Sequence, residues 1–221
     1  MFHVYGAGGG VDSFLPRPGA VGRPEVGAVD YGPGASLLVV DVQNDFAHPG
    51  GSLYVSGAED VVAAVNAEVE EARAAGSPVF YTQDWHPPDT PHFAKDGGIW
   101  PVHCVAGSWG ADFHPDLLVV GPAVRKGTGG EDGYSGFTMR HPVIGEERST
   151  GLDDLLAAAG VERVVVVGLA TDYCVKETGL DAVERGLATT VVRTAVAAVD
   201  LEPGDGDRAL AELAAAGVAL V

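Results

Sequence analysis

The sequence predicts an α/β fold: a doubly wound three-layer sandwich around a mainly parallel sheet of about six strands. Two observations carry this. Short apolar runs lack the alternation of a half-exposed strand, so they read as strands buried on both faces. Segments with helical spacing fall between them, the pattern of a parallel sheet covered by helices on either side.

Residues 1–35 stand apart. They are rich in Gly and Pro ("GAGGG", "PRPGAVGRP"), show no periodicity and read as an N-terminal extension. The domain is expected over residues 36–221. "SLLVV" (36–40) is the first buried strand. Residues 58–76 place Val61, Val62, Val65, Val69 and Ala72 at helical spacing and stop at Gly76. "PVFYT" (78–82) is the next strand, followed by a long loop region (83–116) rich in His, Trp, Pro and Gly. The apolar run "LLVV" (117–120) is read as the third strand. Residues 150–160 read as a helix with Thr150 as N-cap and Asp153 in a box-like position. "RVVVVG" (163–168) is a strong buried strand, 174–186 a helix, "ATTVVRT" (188–194) a strand, 206–217 a helix and "VALV" (218–221) a last strand.

Composition narrows the function. A chain of 221 residues, 46% of them hydrophobic, fits one domain with a sizeable core. No apolar stretch is long enough for a membrane span, and the N-terminus does not read as a signal peptide. Two cysteines are too few for a disulfide framework, so a reducing cytoplasm is expected. The net charge of −18, from 31 acidic against 13 basic residues, disfavours nucleic acid and anionic membranes as partners.

Parallel sheets place their sites beyond the carboxyl ends of the strands. There the sequence reads "DVQNDF", "QDWHPPDTPHF", "VRKGTGGEDGYSGF" and "LATDYC", four segments able to converge on one crevice. Asp41 follows the first strand directly. It either caps a turn, as Asp45 also could, or is a carboxylate removed from water and raised towards the range of a general base. Asp84, His86, His92 and His103 lie in or near one loop region. They are either loop groups capping backbone or a mixed His/carboxylate set suited to Zn, Mn or Fe. Lys126, one of three lysines, is either a surface residue or the partner of a buried carboxylate or thiolate. Cys174 is either a small core residue or a thiol at a helix start, where unpaired N–H groups lower its pKa and can receive an oxyanion. Cys104 lacks such a helix start, and a disulfide between the two would need close Cα atoms. Glu131 and Asp132, beside Lys126, are read as a solvated loop.

Together "VVDVQNDF", "DWHPPDTPHF", "WPVHCV", "KG…YSGF" and "GLATDYCV" resemble the nicotinamidase branch of the isochorismatase-like cysteine hydrolases. The five motifs occur in the family's order from about Ser36 onward. The resemblance implies a catalytic triad of Asp41 (general base), Lys126 and Cys174 (nucleophile). It implies a cis Leu169–Ala170 peptide and an oxyanion hole from the N–H groups of Ala170 and Cys174. Asp84, His86 and His103 would bind one divalent metal ion, zinc before manganese or iron. His92 is a ligand in some relatives and not in others. Phe46 and Trp100 would sandwich a pyridine ring, with Tyr134 and Phe137 nearby. The implied activity is hydrolysis of nicotinamide, and of pyrazinamide, through a cysteine thioester in NAD salvage. The extension of 35 or so residues departs from the family pattern. A cover for the site, an interface in a homo-oligomer and the absence of any ordered role all stay open for it.

Overall fold

The computed structural model describes residues 29–221, so most of the expected N-terminal extension lies outside the described residues. Its last part already belongs to the domain: Val29 and Tyr31 pack on the core, and the Tyr31 hydroxyl donates to Glu68 Oε2 at 2.7 Å.

In chain order the structure begins with β1 (Ala35–Val40), the short α1 (Asn44–Ala47) and α2 (Ala58–Ala74). Strands β2 (Val79–Asp84) and β3 (Ala123–Lys126) follow, separated by the long loop region. Then come the hairpin strands β4 (Thr138–Arg140) and β5 (Glu147–Ser149), helix α3 (Leu152–Ala158) and β6 (Arg163–Leu169). A π-helical turn (Thr171–Val175) leads into α4 (Lys176–Glu184). Strand β7 (Ala188–Ala197), α5 (Asp205–Ala215) and β8 (Ala219–Leu220) complete the chain.

The main sheet has six strands in the order β3-β2-β1-β6-β7-β8, every pair parallel. Alternation along β1 explains why both faces are apolar. Leu37 and Val39 pack into the cluster that holds Val61, Val65 and Val69 of α2, whereas Leu38 and Val40 pack with Leu152 and Leu156 of α3, Ala182 of α4 and Leu213 of α5. Burying each such valine or leucine contributes roughly 1.5–3 kcal/mol. Strand β1 lies in the middle of the sheet; from it the path runs outward through β2 to β3, then crosses to β6 on the other side of β1. The reversal between β1 and β6 opens a crevice beyond their carboxyl ends, and there the ligand sites of such sheets form.

Three expectations need correction. The run Leu117–Val120 forms no strand; the third strand lies at Ala123–Lys126. Leu117 and Leu118 are drawn into the core under α2, while Val119 and Val120 stay exposed. Gly121 must pass so close to β2 that an added Cβ would lie 1.9 Å from the Val79 carbonyl oxygen, and the ladder starts only afterwards. The α3 N-cap is Gly151, at φ +90°, rather than Thr150. Thr150 stands one residue earlier, and its Oγ1 still accepts the Leu152 N–H at 3.2 Å. Asp153 pairs with Arg185 instead of closing a capping box. The β4–β5 hairpin was not expected, because its strands are three residues long and largely polar.

Candidate active site

The strand ends bring their polar residues together. Asp41 follows β1 with φ +49°, a left-handed conformation that Asp tolerates better than most residues. Thr82 of β2 holds it there: its hydroxyl donates to Asp41 Oδ1 at 2.6 Å and accepts the Asp41 N–H at 3.2 Å. Asp84 is the last residue of β2, and Lys126 is its register partner at the end of β3. Gln43 braces this end of the sheet. Its amide donates to the carbonyls of Asp84 and Ala111, both at 2.8 Å, and its Oε1 accepts the Asp84 N–H at 2.8 Å.

Lys126 is fully buried. Its Nζ lies 2.7 Å from Asp41 Oδ2, 2.5 Å from Asp84 Oδ1, 3.0 Å from the Gly133 carbonyl and 3.4 Å from Cys174 Sγ. Burial alone would lower its pKa, but Asp41, Asp84 and Cys174 outweigh it and hold the ammonium well above the usual lysine range. Burial pushes the Asp41 carboxyl up; Lys126 pulls against it, Asp84 adds to it, and the result stays raised, as the sequence leads one to expect. Burial would raise Asp84 too, but Lys126, with His86 and His103, holds its carboxyl well below the usual range.

Cys174 sits in the π-helical turn, where the Ala170 carbonyl accepts N–H groups from Tyr173 (3.1 Å) and Val175 (3.0 Å). The Leu169–Ala170 peptide is cis. Asp172 anchors the turn by accepting the N–H groups of Val199 and Asp200 at 2.9 and 2.8 Å. The expectation of a lowered thiol pKa does not hold. Burial pushes Cys174 up, Lys126 pulls it down, and the buried Asp41 and Asp84 push it up again, so the resting group is a thiol. A buried carboxylate whose pKa is raised is a stronger base than an exposed one, which favours taking the thiol proton.

Beside this cluster, one ring nitrogen from each of His86, His92 and His103 can be chosen so that the three lie within 4.8 Å of one another. The second carboxylate oxygen of Asp84, Oδ2, is 3.8 Å from Nε2 of both His86 and His103. His103 Nδ1 donates to the Pro101 carbonyl at 2.7 Å, which leaves its Nε2 with the lone pair. Burial lowers the His103 pKa to about 4, and His92 is lowered for the same reason, so both rings are neutral. Both ring nitrogens of His86 are buried without a hydrogen-bond partner among the described residues. A buried, orphaned imidazole facing a carboxylate and two neutral imidazoles fits a divalent metal ion.

These groups open into a pocket. Asp84, His92, His103 and Cys174 line it together with Phe46, Trp100, Tyr134 and Ala170. Trp100 Nε1–H donates to the Tyr134 hydroxyl at 2.9 Å. Leu53, Leu169, Tyr173 and Val199 complete the wall. Tyr173 was missed although it sits inside "ATDYC", and its ring meets Trp100 edge-on at 4.9 Å. The aromatic residue preceding the cysteine was the available signal.

Phe137 is not in the pocket lining. It is fully buried in the cluster beneath α3 and α4, with the Arg185 guanidinium 4.5 Å from its ring centroid. The backbone just before it is closely packed too: an added Cβ at Gly136 would lie 3.0 Å from Thr82 and 3.4 Å from Leu152 and Thr178. The acidic pair is a solvated loop only in part, since the Asp132 side chain is 41% exposed and Glu131 is not. Glu131 is buried and accepts the Gly129 N–H at 2.7 Å, while Asp132 meets His92 Nδ1 at 2.5 Å. Asp45 ties loops together, its two oxygens accepting the N–H groups of Ser52 (3.0 Å) and Cys104 (2.7 Å). Both cysteines are free; Cys104 lies outside the pocket, and burial pushes its thiol well up.

The comparisons with known proteins agree with this arrangement. The nicotinamidase of Escherichia coli K12 is 35% identical over 206 residues, spanning 85% of this chain and 94% of that protein. Two solved structures superpose closely. The pyrazinamidase of Pyrococcus horikoshii in complex with zinc has a TM-score of 0.75 at 35% identity, covering 86% of this chain and 99% of that one. PnC1 from L. infantum in complex with nicotinate has a TM-score of 0.78 at 38% identity, covering 87% and 95%. The isochorismatase domain profile matches residues 35–221, starting at the first residue of β1 and including every strand end described above, so the chain belongs to the isochorismatase family.

Proposed function

We propose that the chain is a metal-dependent nicotinamidase that hydrolyses nicotinamide to nicotinate and ammonia, in NAD salvage, and that it also hydrolyses pyrazinamide. The observation that carries this reading is one buried cation, Lys126, in contact with Asp41, Asp84 and Cys174 beneath an aromatic pocket. Asp41 is the general base, Lys126 the charge partner and Cys174 the nucleophile. The carboxamide enters above Cys174, its ring held between Phe46 and Trp100 beside Tyr134.

Asp41 takes the thiol proton as the sulfur attacks the carboxamide carbon. The N–H groups of Ala170 and Cys174 receive the oxyanion. The C–N bond breaks, ammonia leaves with the proton from Asp41, and a thioester remains. Asp41 then takes a proton from water as the water attacks the thioester. Nicotinate departs, and the thiol regains its proton. Asp84, His86, His92 and His103 would hold the ion, zinc before manganese or iron. When bound, it supplies a Lewis acid that orients the ring nitrogen.

The hydrolase domain is assigned to residues 36–221 and the extension to 1–35, less the part packed on the core. No helix among the described residues is long and apolar enough to cross a membrane. The proposed setting is the cytoplasm, with nicotinamide as the small-molecule partner.

Ammonia release from nicotinamide tests the reading. Cys174→Ala should lower kcat by about 10⁴-fold or more, the scale seen when a nucleophile is removed. Chelation should abolish turnover and re-addition of metal restore it. Full activity in Cys174→Ala would sink the covalent route. Release from another amide but not from nicotinamide would sink the substrate assignment.

A further inference from the structure

We propose that Asp132 is a positioning residue for the metal site: its carboxylate fixes His92 in the tautomer and ring orientation that make it a ligand. This rests on the metal-dependent reading above. Asp132 Oδ1 lies 2.5 Å from His92 Nδ1. A carboxylate only accepts, so Nδ1 carries the proton and Nε2 keeps the lone pair. The His92 side chain is only 6% exposed, and its ring stacks on His86 with centroids 4.7 Å apart and planes 22° from parallel. His103 lies on another side, its centroid 5.2 Å away. For a ring so enclosed, the Asp132 contact decides which of its two nitrogens is turned towards that carboxylate.

The anchor is itself held. The Asp132 N–H donates to the Arg140 carbonyl at 2.8 Å, and the Arg140 N–H donates back at 2.5 Å. Arg140 ends β4, and its guanidinium pairs with Glu147 of β5 at 2.7 Å. The hairpin therefore supports a carboxylate that reaches into the histidine cluster. Ligating histidines usually donate their second nitrogen to such a group, and removing it weakens metal binding. A surface ion pair with no further role would leave metal affinity untouched.

The experiment uses the full chain, stripped of metal by chelation, with zinc affinity read by competition against a chromophoric chelator. Asp132→Ala should weaken zinc roughly 10- to 100-fold relative to wild type, while the metal-free proteins melt at the same temperature. Asp132→Asn keeps an oxygen acceptor for Nδ1–H and should recover most of the loss. Zinc affinity in Asp132→Ala within twofold of wild type overturns the proposal and leaves the metal reading standing. Equal loss in Asp132→Asn and Asp132→Ala also overturns it, because the acceptor atom then decides nothing. A wild-type chain that binds no equivalent of zinc overturns the metal reading, and the proposal with it.

Discussion

Asp41 is a carboxylate with no exposure to water, one strong cationic neighbour and one anionic neighbour. It works as a base only when ionised, and its pKa is raised. The acid limb of kcat/KM should therefore lie above the ordinary carboxylate value of about 4, at a pH where exposed aspartates are still charged. A pH–rate profile at saturating metal checks this, and a rate that stays flat down to pH 4 would contradict it. Stability has the opposite sign. Between the unfolded and folded pKa values the folded chain keeps a proton that the unfolded chain releases, so this one group adds stability as pH falls through that window. Motif reading reached Asp41, Lys126 and Cys174 because each stands at a strand end. It did not reach Thr82 or Asp132, whose roles are hydrogen bonds across 41 and 40 residues of chain.

At the level of elements, β6 must lie close against β1 where the crevice opens. Gly168 makes this possible: φ is +112°, and an added Cβ would sit 2.1 Å from the Val40 carbonyl oxygen. Gly168→Ala should cost about 2 kcal/mol or more and lower both the melting temperature and kcat, because the strained residue lies between the Asp41 and Cys174 strand ends. Thermal unfolding and turnover read this together; a variant as stable as wild type would contradict it. The continuous apolar runs of β1 and β6 were legible because a strand buried on both faces draws apolar residues to successive positions. Leu117–Val120 mimicked such a run, although only Leu117 and Leu118 are drawn into the core. Phe137 resembled a pocket aromatic by its place in "YSGF", but nothing in that string says which way its side chain turns. The hairpin left no pattern because its strands are too short to show one.

The whole molecule carries a charge of −18, yet the proposed substrate is uncharged. Electrostatic steering then has nothing to act on. For nicotinamide, kcat/KM should change by less than about twofold between about 20 mM and about 500 mM salt. Initial rates across that range test it, and a steep salt dependence would point to a charged substrate. The net charge would also speed the anionic product on its way out. Asp84 brings the two halves of the site into one account. One of its oxygens serves Lys126 and the other faces two histidines. In the proposed enzyme an ion held by those histidines would touch the ring bound above Cys174, and any coupling between the two occupancies is reciprocal. Whatever factor such an ion lends to holding nicotinamide, nicotinamide would return to holding the ion, so an ion that tightens the amide is itself lost more slowly from the amide-bound enzyme.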